Sequence, residues 1–197
     1  MESIQHWSEN VILADADYVD RVAFDLTVNF ERMLERRIPK ASMAQWLDCV
    51  ALDGGLRQGP NQTQVVLLHD AERQQMDNFT PGHYADELDG KAFTDPMGEF
   101  LLSSVAVERL TTKEQLFADS LAILCAISEV KRVMVIADAE RYYDRVRQTL
   151  RTAGDTDQRI TVFAMQPMSG GNFRQEILGY SLMAALGISS QEIERHR

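Results

Sequence analysis

Apolar positions along the chain alternate between short continuous runs and longer stretches spaced three or four residues apart, the signatures of buried strands and one-sided helices. Val11-Ile12-Leu13-Ala14 is a continuous run closing on Asp15, and Val19, Val22, Leu26, Phe30 and Met33 follow at helical spacing. Pro39 ends that pattern. A second, short helix is predicted from about Ser42 through Met43, Trp46, Leu47 and Val50, closed by Gly54-Gly55. Past the turn Gly59-Pro60-Asn61, Val65-Val66-Leu67-Leu68 reads as a strand ending at His69-Asp70. Between 71 and 98 the periodicity is lost, and Pro81, Gly82, Gly90, Pro96 and Gly98 interrupt many acids. A long irregular segment is expected there, a lid, an insertion or a mobile stretch with room for a short helix.

The second half repeats the alternation. Phe100 to Val105 is a candidate third strand, and Thr111 with Glu114 three residues later is a capping-box start for a helix carrying Leu116, Phe117, Leu121, Leu124 and Ile127. Val133 to Ala137 is a strand ending at Asp138, and Tyr142, Val146 and Leu150 mark a helix that Gly154 terminates. Ile160 to Ala164 reads as the last strand. Asn172, followed by Gln175, is placed to cap a final helix through Ile177, Leu178, Leu182, Met183 and Leu186, and the charged tail after Gly187 is expected to fray. Strands alternating with helices imply right-handed crossovers. The expected fold is therefore a three-layer α/β/α domain with a mainly parallel sheet, spanning 1–197 as one unit.

Composition narrows the setting. Hydrophobic residues make up 45% and charged residues 25% of the 197, which is enough for a packed core. No apolar run approaches the ~20 residues of a bilayer span, Ser120 to Ile127 and Val133 to Ala137 being core-sized, so no membrane partner is expected. The start Met1-Glu2-Ser3-Ile4-Gln5-His6 lacks the positive charge and apolar stretch of a secretory signal, which makes the cytoplasm the expected location. Cys49 and Cys125 fall in apolar helical patterns and are read as buried, reduced packing residues, since two cysteines cannot complete a zinc site alone. The net charge of -10 repels nucleic acid at long range, so any RNA must be held locally.

In an open parallel sheet, ligands bind beyond the carboxyl ends of the strands, where Asp15, Asp70 and Asp138 fall. Asp15-Ala16-Asp17 and Asp138-Ala139-Glu140 each set two carboxylates just past a strand, and Asp119 interrupts an apolar helical run. Such oxygen-rich clusters suit hard cations such as Mg²⁺ or Mn²⁺. The competing explanation is local: carboxylates gather at strand ends because the next helix begins there and favours negative charge.

Three places resemble the NYN family of the PIN-like nuclease superfamily. They are the strand-end acid Asp15, the helix segment Leu116-Phe117-Ala118-Asp119-Ser120-Leu121, and Val133 to Glu140 with the strand Ile160 to Ala164 downstream. The resemblance implies a PIN-like, Rossmann-like fold and a divalent-metal ribonuclease. Asp15, Asp119, Asp138 and Glu140 would be its catalytic metal ligands, with Asp17 as a fifth. The chain departs from the family at Ile136-Ala137, where a small polar residue and glycine are usual, at Glu140, where aspartate is usual, and at Tyr18, near the family's asparagine.

Those departures, the acidic charge and the aromatics Trp46 and Tyr84, expected to be exposed, favour a non-catalytic domain of the same fold acting through a protein, a second copy or a small ligand. A third reading is an enzyme acting on a small phosphorylated substrate through Gly170-Gly171, whose amides could cradle phosphate at a helix start. His69 is a candidate general base. Arg141, Arg145, Arg147 and Arg151, and Arg32, Arg36, Arg37 and Lys40, are candidate phosphate contacts or plain solvated helix faces.

Overall fold

A computed structural model of the chain describes residues 6–197; Met1 to Gln5, on which the reading of the N-terminus partly rests, lie outside the described residues. The elements in order are β1 (Asn10–Asp15), α1 (Ala16–Leu34), β2 (Ala41–Ser42), α2 (Met43–Asp53), β3 (Gln62–Asp70), β4 (Phe79–Thr80), a π-helix (Tyr84–Leu88), β5 (Ala92–Asp95) and β6 (Gly98–Val107). They continue as α3 (Lys113–Ala126), β7 (Arg132–Ile136), α4 (Ala139–Ala153), β8 (Arg159–Ala164), β9 (Arg174–Ile177), α5 (Leu178–Ala185) and α6 (Ser190–Arg195).

Seven strands form one sheet in the order β5-β6-β3-β1-β7-β8-β9. All pairings are parallel except β5 with β6. Helices cover both faces, which is why the continuous apolar runs are strands: in β1 every residue is buried. Ile12, Val65 and Met134 face a core shared with α1, α2 and α5, while Leu13, Val133 and Val135 face a second core under α3 and α4. This is the expected three-layer α/β/α arrangement on a mostly parallel sheet.

Several local expectations fail for identifiable reasons. Ile160 to Ala164 is not the last strand, because β9 follows it along the sheet edge. Asn172 caps no helix start; its Nδ2 donates to the Leu150 and Gly154 carbonyls at 3.2 Å and closes the C-terminal end of α4 instead. The tail after Gly187 contains α6, whose cap Ser189 accepts from the Glu192 amide, and whose Glu192 pairs with Arg36. The cap of α3 is Thr112, one residue beyond the expected position, accepting from the Gln115 amide at 3.1 Å. Trp46 and Tyr84 are buried rather than exposed: Trp46 packs edge-on against Phe79, and Tyr84 stacks on His69.

The segment 71–98 is structured. β4 pairs with β2, the π-helix follows, and β5 turns back onto β6. Asp20 on α1 anchors the first part, its buried carboxylate accepting from the Asn78 amide at 2.8 Å, the Asp77 amide at 3.2 Å and Asn78 Nδ2 at 3.1 Å. Beyond the reach of β5, the outer edge of β6 is met by a side chain: Asp89 Oδ1 accepts the Ser104 amide at 2.8 Å.

Candidate carboxylate cleft at the sheet's carboxyl edge

From the central β1 the sheet grows through β3 and β6 on one side and through β7, β8 and β9 on the other, so the strand order reverses between β1 and β7. A doubly wound sheet opens its ligand crevice at that reversal. Asp15 and Asp138 stand on its two sides, and each caps the helix that follows, accepting the Tyr18 and Arg141 amides at 3.2 Å. The capping explanation for strand-end acids therefore holds for both. It does not exhaust them.

Asp15 is fully buried and has further partners. Tyr142 departs from helical geometry at the start of α4 (φ -139, ψ 31), and its hydroxyl donates to Asp15 Oδ2 at 2.6 Å. Lys113, the first residue of α3, reaches in from the other side. Its Nζ lies 3.2 Å from Asp15 Oδ1, 3.0 Å from Asp17 Oδ2 and 3.1 Å from Asp70 Oδ2, with the side chain only 12% exposed. Asp17 also accepts the Asp70 amide at 2.7 Å and the Tyr84 hydroxyl at 3.1 Å. Arg21 joins the second acid pair, 3.5 Å from Asp138 and 3.1 Å from Glu140.

The charges follow this geometry. Burial lowers the Lys113 ammonium's affinity for its proton, but Asp15, Asp17 and Asp70 more than offset it and hold its pKa above the ordinary value. Asp15 shares that one cation with two other acids, so burial prevails over Lys113 and Tyr142 and raises its carboxyl pKa. For Asp17, burial is outweighed by the Asp70 amide, Lys113 and Tyr84, and its pKa is lowered. Burial and the charges of Glu140 and Asp138 push Tyr18 up to about 12.

Residues 4–193 match the model of a family described as a family of unknown function, DUF6621. The chain belongs to DUF6621. No curated protein and no solved structure matches it.

Of the five expected ligands in this DUF6621 domain, Asp15 and Asp17 meet at Lys113, and Asp138 and Glu140 meet at Arg21. Asp119 joins neither. It is exposed, accepts from Gln115 Nε2 at 2.7 Å, and lines a groove of about 360 Å³ between α3 and α4. Among the described residues no group of three or more His, Cys, Asp and Glu side chains is arranged to hold a metal ion. Asp15 and Asp17 face the Lys113 ammonium, and Asp138 and Glu140 the Arg21 guanidinium, so the side chains as arranged do not fit a divalent cation.

His69 is also committed to structure. It is buried against Tyr84, ring centroids 3.8 Å apart, with Nδ1 2.9 Å from the Asp70 carbonyl. Gly170 and Gly171 lie in the β8–β9 connection, away from the start of α5, and the Gly170 carbonyl accepts Arg147. Both cysteines are half-buried free thiols, raised in pKa by burial.

Lys113 is the residue at this site that sequence reasoning misses. A signal for it exists: a lysine in the first helical turn opposes the helix dipole and needs a compensating partner. Beside the cluster lies an open cleft of about 490 Å³, bordered by Asp17, Asp20, Arg21, Phe24, Asp70 and Arg73.

Proposed function

We propose that this chain is a non-hydrolytic binding domain of PIN-like, Rossmann-like build, in which the Lys113 ammonium takes the place of a catalytic divalent cation and the adjoining cleft receives a protein segment or small ligand. The observation that carries the reading is the set of three carboxylate contacts at 3.0 to 3.2 Å around Lys113 Nζ. Metal-assisted phosphodiester cleavage needs carboxylate oxygens that are free to ligate, so that the metal can polarise phosphate and supply hydroxide. Here a fixed internal ammonium occupies them. Arg21 has the same effect on Asp138 and Glu140.

The cleft has the makings of a docking surface. Phe24 and Val28, four residues apart on α1, are both exposed, and the Arg21 and Arg73 side chains stand at 46% exposure beside the acids they pair with. Calorimetric titration with Mg²⁺ and Mn²⁺ and a cleavage assay on single-stranded RNA test the proposal. The expected outcome is no saturable heat at millimolar metal, and no cleavage above that of Asp138→Asn. Mn²⁺-dependent cleavage by wild type that Asp138→Asn abolishes would overturn it in favour of a ribonuclease.

A further inference from the structure

The opposite end of the sheet, where the strands begin, carries a concentration of charge of the other sign. Arg132 and Arg159 are paired positions on β7 and β8, so their side chains share a face. Thr161 lies two residues beyond Arg159, and it pairs with Arg174 on β9, which puts Arg174 on that face as well. Gly55, just past the end of α2, lies over the same spot. Arg132 Nη1 and Arg174 Nη1 are 2.6 and 3.9 Å from the point where a Gly55 Cβ would stand. Two residues later, Arg57 adds a fourth guanidinium.

Among the described residues, none of the four arginines has a carboxylate within ion-pair distance, although acids outnumber bases by thirty to twenty in the chain. Arg132 donates one N–H to the Gly54 carbonyl at 2.6 Å, which accounts for its tie to the end of α2, but its buried Nε has no acceptor. Burial, and then the charges of Arg159, Arg174 and Arg57, lower the pKa of the Arg132 guanidinium. Asp53 and Glu176 are the neighbouring acids. Burial and the Glu176 charge push the Asp53 carboxyl up to about 6, and neither acid lies within ion-pair distance of an arginine among the described residues.

We infer that Arg57, Arg132, Arg159 and Arg174 form a binding site for a compact, multiply charged phosphate group, as in a free oligophosphate or the phosphate chain of a nucleotide. Guanidinium forks match phosphate oxygens in pairs, and the paired strand positions that carry Arg132 and Arg159 lie about 5 Å apart. The approach of Arg132 and Arg174 to Gly55, two residues from Arg57 and beside Arg159, favours charge concentrated in a few ångströms over charge strung along a nucleic-acid backbone. This site is independent of the carboxylate cleft.

The test is calorimetric titration of the full chain at low salt with tripolyphosphate, a nucleoside triphosphate and a single-stranded RNA oligomer. Arg159→Gln/Arg174→Gln is the site variant, since both side chains are exposed and the fold does not depend on them. Arg141→Gln/Arg145→Gln on α4 is the control, and circular dichroism checks folding. Tripolyphosphate should bind saturably, at least tenfold weaker in the site variant and unchanged in the control. A nucleoside triphosphate that binds more tightly than tripolyphosphate assigns the site to a nucleotide, and equal binding assigns it to free oligophosphate. Equal loss in both variants, no loss in the site variant, no saturable binding of either phosphate ligand, or binding of RNA alone would overturn the inference.

Discussion

Lys113 decides more than any other single side chain. Removing one partner from a buried ionic cluster leaves the others uncompensated, at a cost of about 3–5 kcal/mol. Lys113→Met should therefore lower the unfolding free energy measured by urea titration by that much at neutral pH. The loss should shrink toward pH 4, where the abandoned carboxylates take up protons. A second site runs on burial and like charge: Asp48 on α2 has a buried oxygen without a hydrogen-bond partner and faces Asp95, and its carboxyl is pushed up to about 7 by burial and that neighbour. A carboxyl raised in the folded state contributes its full stability below the unfolded value, ~4, and loses it as pH rises through about 7. Asp48→Asn should then melt at a higher temperature than wild type at pH 8, and at the same temperature near pH 4. The strand-end acids were legible because chain position alone puts them at the sheet's carboxyl edge. Lys113 was not, because its role depends on three acids 43 to 98 residues away in the chain. Asp119 misled because an acid within an apolar helix run looks inward, whereas it lies on the groove beside Gln115.

At the level of elements, the runs over β1, β3, β7 and β8 predict their strands because both faces of each are covered, and such strands are apolar throughout. β9 escaped because Arg174-Gln175-Glu176 carries no apolar alternation; an edge strand buries too little to show one. The segment 71–98 escaped because its order comes from contacts with distant residues, Asp20 above all. Asp20→Ala would strip the Asp77 and Asn78 amides of their acceptor and release Arg73. Hydrogen bonds to a charged group contribute about 1.5–3 kcal/mol each where they are buried. A loss of about 2–3 kcal/mol is expected, with amide exchange accelerated over residues 72–82 and new proteolytic cuts there, while the exchange of β1 and β7 follows only the global change. Uniform acceleration across the sheet would show that Asp20 supports the core rather than the segment.

Across the whole molecule, β1 ties the two cores together, and the winding that centres it also separates charge, acids at one edge and, at the other, arginines without an ion pair among the described residues. Fold class was readable from the alternation of runs. The arginine convergence was not, since residues 57, 132, 159 and 174 become neighbours only through strand order and register. The sheet's two ends differ in another respect. β9 is four residues long and carries Arg174 and Glu176, whereas β6 is ten residues long, with Leu101 and Val105 exposed. A strand of that length with open amides is a template onto which another chain can add. β5 covers only the first part of it, and Asp89 occupies the Ser104 amide beyond. That one carboxylate blocks the continuation of the ladder and places a negative charge where an incoming strand would lie. Asp89→Ala should leave the melting temperature within a few degrees of wild type yet raise light scattering on storage at high concentration, and a second substitution, Val105→Lys, should return the protein to solution. The solubility of the fold would then rest on an aspartate that neither core contains.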